Sequence, residues 1–202
     1  DGLAACPALA LTCCADLDAD NAGVRARAAF ALASVQDTAA IPGLLSLLND
    51  SVPLVRTDAA FALGQMPTGV PGDALLQSLR TERDARVQRR LIEALGKTGD
   101  ATSLRALLRL RPPPPRHPTL ALTIARYGMR GVTDSTASAW LVEHLRSDDP
   151  WTRRNAAYAL GRVDALAQGR ADTLRAVLGD IARDDPAAMH LIRALGRAGD
   201  ST

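Results

Sequence analysis

A Leu-Gly pair closing an alanine-rich stretch recurs along this chain at a nearly fixed interval, and nothing else in the sequence limits the fold so strongly. The copies end at Leu32-Ala33, Leu63-Gly64, Leu95-Gly96, Tyr127-Gly128, Leu160-Gly161 and Leu195-Gly196, at intervals of 31, 32, 32, 33 and 35 residues. The wording before the pair repeats too: VRARAAFALA at 24–33 becomes VRTDAAFALG at 55–64. A period of this length marks a tandem array, whose units cannot bury an apolar face alone and must stack on their neighbours.

Each copy reads as the second helix of a helical hairpin. Val55, Ala59 and Leu63 fall at i, i+4 and i+8 and so form one apolar stripe, on which Ala and Gly permit close approach of backbones. A first-helix pattern lies between the copies: Ile41, Leu44, Leu45 and Leu48; Leu75, Leu76 and Leu79; Leu104, Leu107 and Leu108; Leu141 and Leu145; Leu174, Val177, Leu178 and Ile181. DDP at 148–150 and 184–186 supplies an Asp N-cap and a first-turn Pro. TGD at 98–100 and AGD at 198–200 place Gly as a stop and Asp as the next start. Six hairpins follow, at about 1–36, 37–67, 68–99, 100–131, 132–165 and 166–202, with no strand. The 47% apolar and 3% aromatic content suits closely packed helices built on Ala, Leu and Val.

The stretch IPGLLSLLNDSVPLVRTDAAFALG resembles a HEAT repeat, in the short bacterial form of the phycobilisome lyases, with Pro42 in the first helix, Asp50 in the turn, and Val55 and Arg56 opening the second. The resemblance implies an all-α, right-handed α-α superhelix. It also implies Asp–Arg pairs along the stack and second helices lining a concave face. Arg25, Arg56 and Arg153 keep the motif, whereas Gln88, Leu120 and Ala188 stand in its other places, so the ladder is expected to be broken in the middle and at the end. RPPPPRHP at 111–118 reads as a stiff replaced turn or as a polyproline docking segment. The wording AAFALGQ and EALGKTGD is similar to repeats beside bacterial cyclophilin-type peptidyl-prolyl isomerases. No cyclophilin motif is present, and the expectation is a stretch of a longer bacterial chain.

Catalytic patterns are lacking. There is no GxSxG elbow, phosphate loop or dinucleotide fingerprint, and the Asp pairs sit where helix capping explains them. His117, His144 and His190 have no helical ligand spacing to one another, and Glu143-His144 reverses the His-Glu order of the iron-binding HEAT-like hydroxylases. The reading is a non-enzyme segment without metal or cofactor. Cys6, Cys13 and Cys14 fit no zinc or CxxC spacing, and the compartment stays open. No apolar run is long enough to span a membrane. A net charge of +2 is no signature of nucleic-acid binding.

Stepping off the stripe at i, i+3 and i+7 gives the row expected to face the concave groove. It begins Arg27, Phe30 and Ser34, then Asp58, Phe61 and Gln65, then Arg90, Glu93 and Lys97. It continues with Leu122, Ala125 and Met129, then Asn155, Tyr158 and Arg162, then His190, Arg193 and Arg197. Two readings stand for Phe30, Phe61 and Tyr158: partial core between helices, or interface anchors. The function expected is a protein-interaction scaffold holding a partner protein or peptide with an apolar anchor and an acidic segment. The rivals are a bilin lyase or isomerase subunit, tested by a bilin adduct, and a nucleic-acid binder, tested by the salt dependence of a gel shift.

Overall fold

A computed structural model describes residues 14–182 and 185–198. Cys6 and Cys13, the opening helix of the first hairpin up to residue 13, and the Gly199-Asp200 signal lie outside them. Twelve α-helices and no strand occur among the described residues. The chain resolves into two compact units, residues 1–99 and 100–202, whose boundary falls between the third and fourth hairpins read from the sequence.

In the first unit the second helices are α1 (Ala22–Val35), α3 (Pro53–Leu63) and α5 (Ala85–Thr98). They pack in chain order, α1 on α3 and α3 on α5, while the first helices α2 (Ile41–Leu47) and α4 (Gly72–Thr81) back onto α3 and α5. The stripe is core: Val55, Ala59 and Leu63 are fully buried, as are Leu44 and Leu75 from the first helices. Leu45 and Leu79 are only half-buried. Asn21 caps α1 by accepting from the Gly23 N–H, and Asp84 caps α5 by accepting from Arg86 at 2.8 Å.

The second unit comprises α6 (Ala101–Arg109), α7 (His117–Met129), α8 (Ser135–Glu143), α9 (Pro150–Arg162), the single turn α10 (Asp164–Ala167), α11 (Ala171–Asp180) and α12 (Ala188–Arg197). The second helices α7, α9 and α12 again pack in series, with α6 against α8 and α11 against α12. Tyr127, which replaces the recurring Leu, is fully buried, and its hydroxyl meets Ser103 Oγ at 3.0 Å. Burial pushes its phenol up to about 12.

The first DDP is the expected cap: Asp149 accepts from the Thr152 N–H and Pro150 opens α9. The second differs. Asp185 accepts from the Ala187 N–H, making an Asx turn around Pro186, and α12 begins only at Ala188. The PPPP segment turns through Arg111, whose φ of 47° is left-handed, and a 3-10 turn at Pro114–Arg116.

The recurring glycine also has a different role from the one its position suggests. Gly64 is right-handed, with φ −70°, so it is not needed to stop α3 by conformation. Instead a Cβ there would stand 3.0 Å from Ala94 Cα on α5, and a Cβ on Gly161 would stand 2.6 Å from the His190 carbonyl oxygen. Both positions are small because the next second helix touches them.

Candidate functional site

The arginine near the start of a second helix fixes that helix against its neighbours. Arg25 donates through Nε to Asp50 at 2.7 Å and through Nη1 to the carbonyl oxygens of Ala19 and Asp20. Arg56 repeats this with Glu82, at 2.7 and 2.9 Å, and with the carbonyls of Asp50 and Ser51. Arg153 does so with Asp185 and with the carbonyls of Ser147 and Asp148. Each guanidinium thus closes its own turn and grips the following one. Where Gln88 replaces the arginine, its Nε2 still donates to the Glu82 carbonyl at 2.7 Å, closing its own turn as the arginines do.

These contacts shift the carboxyls. The hydrogen bond from Arg25 holds Asp50 below the ordinary carboxylate range. Burial alone would raise Glu82, but Arg56 and the N–H groups of Asp84 and Arg83 outweigh it and hold it low.

On the exposed side of the first unit, Phe30 and Phe61 lie side by side on α1 and α3. Their rings stack with centroids 5.5 Å apart and planes 18° from parallel. Phe30 is 55% exposed and Phe61 half-buried, so the pair forms an apolar step open to solvent and not core. The Arg90 guanidinium lies 5.1 Å from the Phe61 centroid, and the Lys97 ammonium 5.9 Å, both within cation–π reach. Arg90 also pairs with Glu93 at 2.9 Å. Asp58 is half-buried on α3; burial raises its carboxyl, against the pull of Arg90. Arg27 is exposed on α1.

In the second unit the row does not run as expected. Asn155 is buried at 5% exposure, donating through Nδ2 to the Pro118 carbonyl at 3.1 Å, and Ala125 is fully buried. The reason is the close packing of α9 on α7, which turns these two positions into the joint. Arg197 is not a free cation either: its Nε donates to the Gly161 carbonyl at 2.8 Å and its Nη1 pairs with Asp164, tying α12 to the end of α9. Arg162 and Arg193 are exposed. Tyr158 is half-buried and meets His190 edge-on at 5.5 Å. Burial, then Arg154 and Arg193, lowers the His190 imidazole.

Beside Tyr158 opens a pocket of about 250 Å³ lined by Leu122, Arg126, Met129, Arg154 and Asn155. Arg126 and Arg154 were not in the row. Both sit one helical step from it, Arg126 at i+4 from Leu122 and Arg154 at i−4 from Tyr158, and residues at that spacing share a face.

A larger open groove of about 560 Å³ lies behind the proline turn, bordered by Pro112, His117, Trp140, Glu143 and His144. Trp140 stacks on His144 at 3.7 Å, and His117 meets both rings edge-on. His117 Nε2 and His144 Nδ1 are engaged by the carbonyls of Pro112 and Trp140. Among the described residues no three His, Cys, Asp or Glu side chains come together in a way that could hold a metal ion, and no helix is long and apolar enough to cross a membrane.

Residues 14–82 match the family model described as HEAT repeats. Among solved structures, an engineered protein is similar at 20% identity and TM-score 0.61, over 94% of this chain and 96% of that one. A designed armadillo repeat protein in complex with the peptide (KR)4 is similar at 12% identity and TM-score 0.62, over 93% and 98%. The complex of CpcE and CpcF of phycocyanin lyase from Nostoc sp. PCC7120 is similar at 18% identity and TM-score 0.55, over 96% and 84%. No match was found among curated proteins. The fold is therefore that of the HEAT- and armadillo-type α-solenoids.

Proposed function

We propose that this HEAT-repeat chain is an interaction scaffold that takes an extended peptide on the exposed side of its second helices. One observation carries the reading: two stacked phenylalanines stand open to solvent with Arg90 and Lys97 over the Phe61 ring. Exposed aromatic pairs cost solvation unless something covers them, and aromatic and arginine side chains are the groups that dominate protein interfaces. The similar armadillo design holds a basic peptide. Here the cations belong to the scaffold, so the peptide has an apolar anchor for the phenylalanine step and acidic residues for Arg90 and Lys97.

Selection from a displayed library of short random peptides tests this. Wild-type protein should enrich sequences with an aromatic or aliphatic anchor followed by Asp or Glu. The Phe30→Ala, Phe61→Ala double variant should bind the selected peptides at least about tenfold more weakly while keeping its helical melting transition. If the double variant unfolds and its folded fraction binds as before, the rings are structural and the reading fails.

A further inference from the structure

The pocket beside Tyr158 gathers positive charge that no carboxylate pairs with among the described residues. Arg126 from α7 and Arg154 from α9 line it. Arg193 on α12 lies close enough to His190, the ring against Tyr158, to disfavour its protonation together with Arg154. Arg25, Arg56, Arg146 and Arg153, by contrast, each hold a carboxylate. Arg126, Arg154 and Arg193 form no ion pair among the described residues. The side-chain contacts of Arg154 are a long one to Asn155 Oδ1, at 3.5 Å, and a cation–π approach to Trp151 at 5.9 Å. Like charges held near one another repel, and a bound anion eases that repulsion.

From this geometry we infer that the pocket binds a phosphomonoester carried on a peptide side chain. A carboxylate brings one negative charge to the two guanidiniums that line the pocket. A phosphomonoester brings about −1.5 to −2 near neutrality, with three strong acceptor oxygens that suit forked arginine donors. The other wall is apolar, formed by Leu122, the Tyr158 ring and Met129, which is 49% exposed. That wall accommodates the stem bearing the phosphate, and an aromatic stem covers more of it than the single carbon of phosphoserine. The class is therefore a phosphorylated side chain, with phosphotyrosine preferred. Reading the chain as a peptide scaffold supplies only the source of this group, since the pocket's affinity is measured on small probes.

Calorimetric titration of the whole chain with N-acetyl-phosphotyrosine amide tests the site. Comparison probes are the phosphoserine amide, unphosphorylated tyrosine amide, a carboxymethyl-phenylalanine amide and a short single-stranded oligonucleotide. The phosphotyrosine probe should saturate, should bind at least about tenfold more tightly than the carboxylate probe, and should weaken as salt rises. Arg126→Gln and Arg154→Gln should each lower its affinity by about tenfold or more, a charged hydrogen bond contributing about 1.5–3 kcal/mol. Arg80→Gln, at an exposed position of α4 in the other unit, should leave it unchanged, and melting curves should show all three variants folded. Equal binding of the carboxylate probe, no saturable phosphate binding, or unchanged affinity in both pocket variants overturns the inference. So does tighter binding of the oligonucleotide, which would make the pocket a phosphodiester site. If the phosphate response is absent but library peptides still bind through Phe30 and Phe61, this inference alone falls. The opposite pattern removes the scaffold reading and leaves the phosphate site.

Discussion

The carbonyl oxygen of His190 lies 2.6 Å from where a Cβ on Gly161 would stand. That contact explains why a glycine sits in the last turn of α9, where alanine would be the better helix former. Gly161→Ala should therefore destabilise the protein. Overpacking costs about 1–3 kcal/mol, more than the roughly 1 kcal/mol that alanine gains in helix propensity. Gly179→Ala on α11, where an added Cβ would meet nothing within 4 Å beyond its own helix backbone, should be neutral or stabilising by up to about 1 kcal/mol. Urea denaturation of both variants checks the contrast, and a stabilised Gly161→Ala would refute the close approach.

The phenylalanine step predicts unequal losses. Phe30 is mostly in solvent, so Phe30→Ala should cost less than Phe61→Ala, which also removes the surface under Arg90 and Lys97. A double-mutant cycle should give a coupling of about 0.5–1.5 kcal/mol, as for stacked aromatic pairs. Additive single losses would mean that the rings do not stack in solution.

Arg56 and Arg146 each pair with a carboxylate, but only Arg56 also closes a turn and is largely shielded, with 16% of its side chain exposed against 51% for Arg146. Arg56→Ala should cost about 1–3 kcal/mol, because it strands Glu82 and the Asp50 carbonyl. The cost of Arg146→Ala should lie between about 0 and 1 kcal/mol. Chemical denaturation of the two single variants separates the cases.

Acid should loosen the same joints. Asp50, Glu82 and Asp185 all have carboxyls held below their ordinary values in the folded chain. The unfolded chain therefore takes up their protons first as pH falls. Their contribution is complete above the ordinary values of 3.8 for Asp and 4.5 for Glu, and is lost as pH falls through the depressed folded ones. Asp58, raised by burial, works in the opposite sense. Melting temperature measured from about pH 6 to about pH 3 should drop, and the drop should be shallower in Arg56→Gln, where Glu82 has lost its main partner. An unchanged slope would show that the Glu82 pair does not form.

Much of this was legible in the residues because a repeat states its pattern several times. The Val55, Ala59 and Leu63 stripe, the caps at Asp100 and Asp149, and the neighbouring positions of Phe30 and Phe61 all follow from spacing alone. What spacing cannot give is the rotation of each helix about its axis. A shift of one position separates a groove residue from a joint residue, so Asn155 and Ala125 passed for surface while Arg126 and Arg154 went unnoticed. The carboxylate facing Arg56 escaped for another reason. It is Glu82, a longer side chain set at a different point in its turn from Asp50, and only the folded chain shows that both reach the same kind of arginine.

The arginine grip does not measure the length of the hairpin it closes. Arg25 reaches an acid 25 residues on, Arg56 one 26 residues on and Arg153 one 32 residues on, yet each makes the same contacts. Segments between grips can thus lengthen or shorten without disturbing the register of the helices that carry the arginines. Duplication of one hairpin would carry its own fastening to the new place. A lineage built this way can vary its loops, and what they recognise, while the stacking that supports them stays the same.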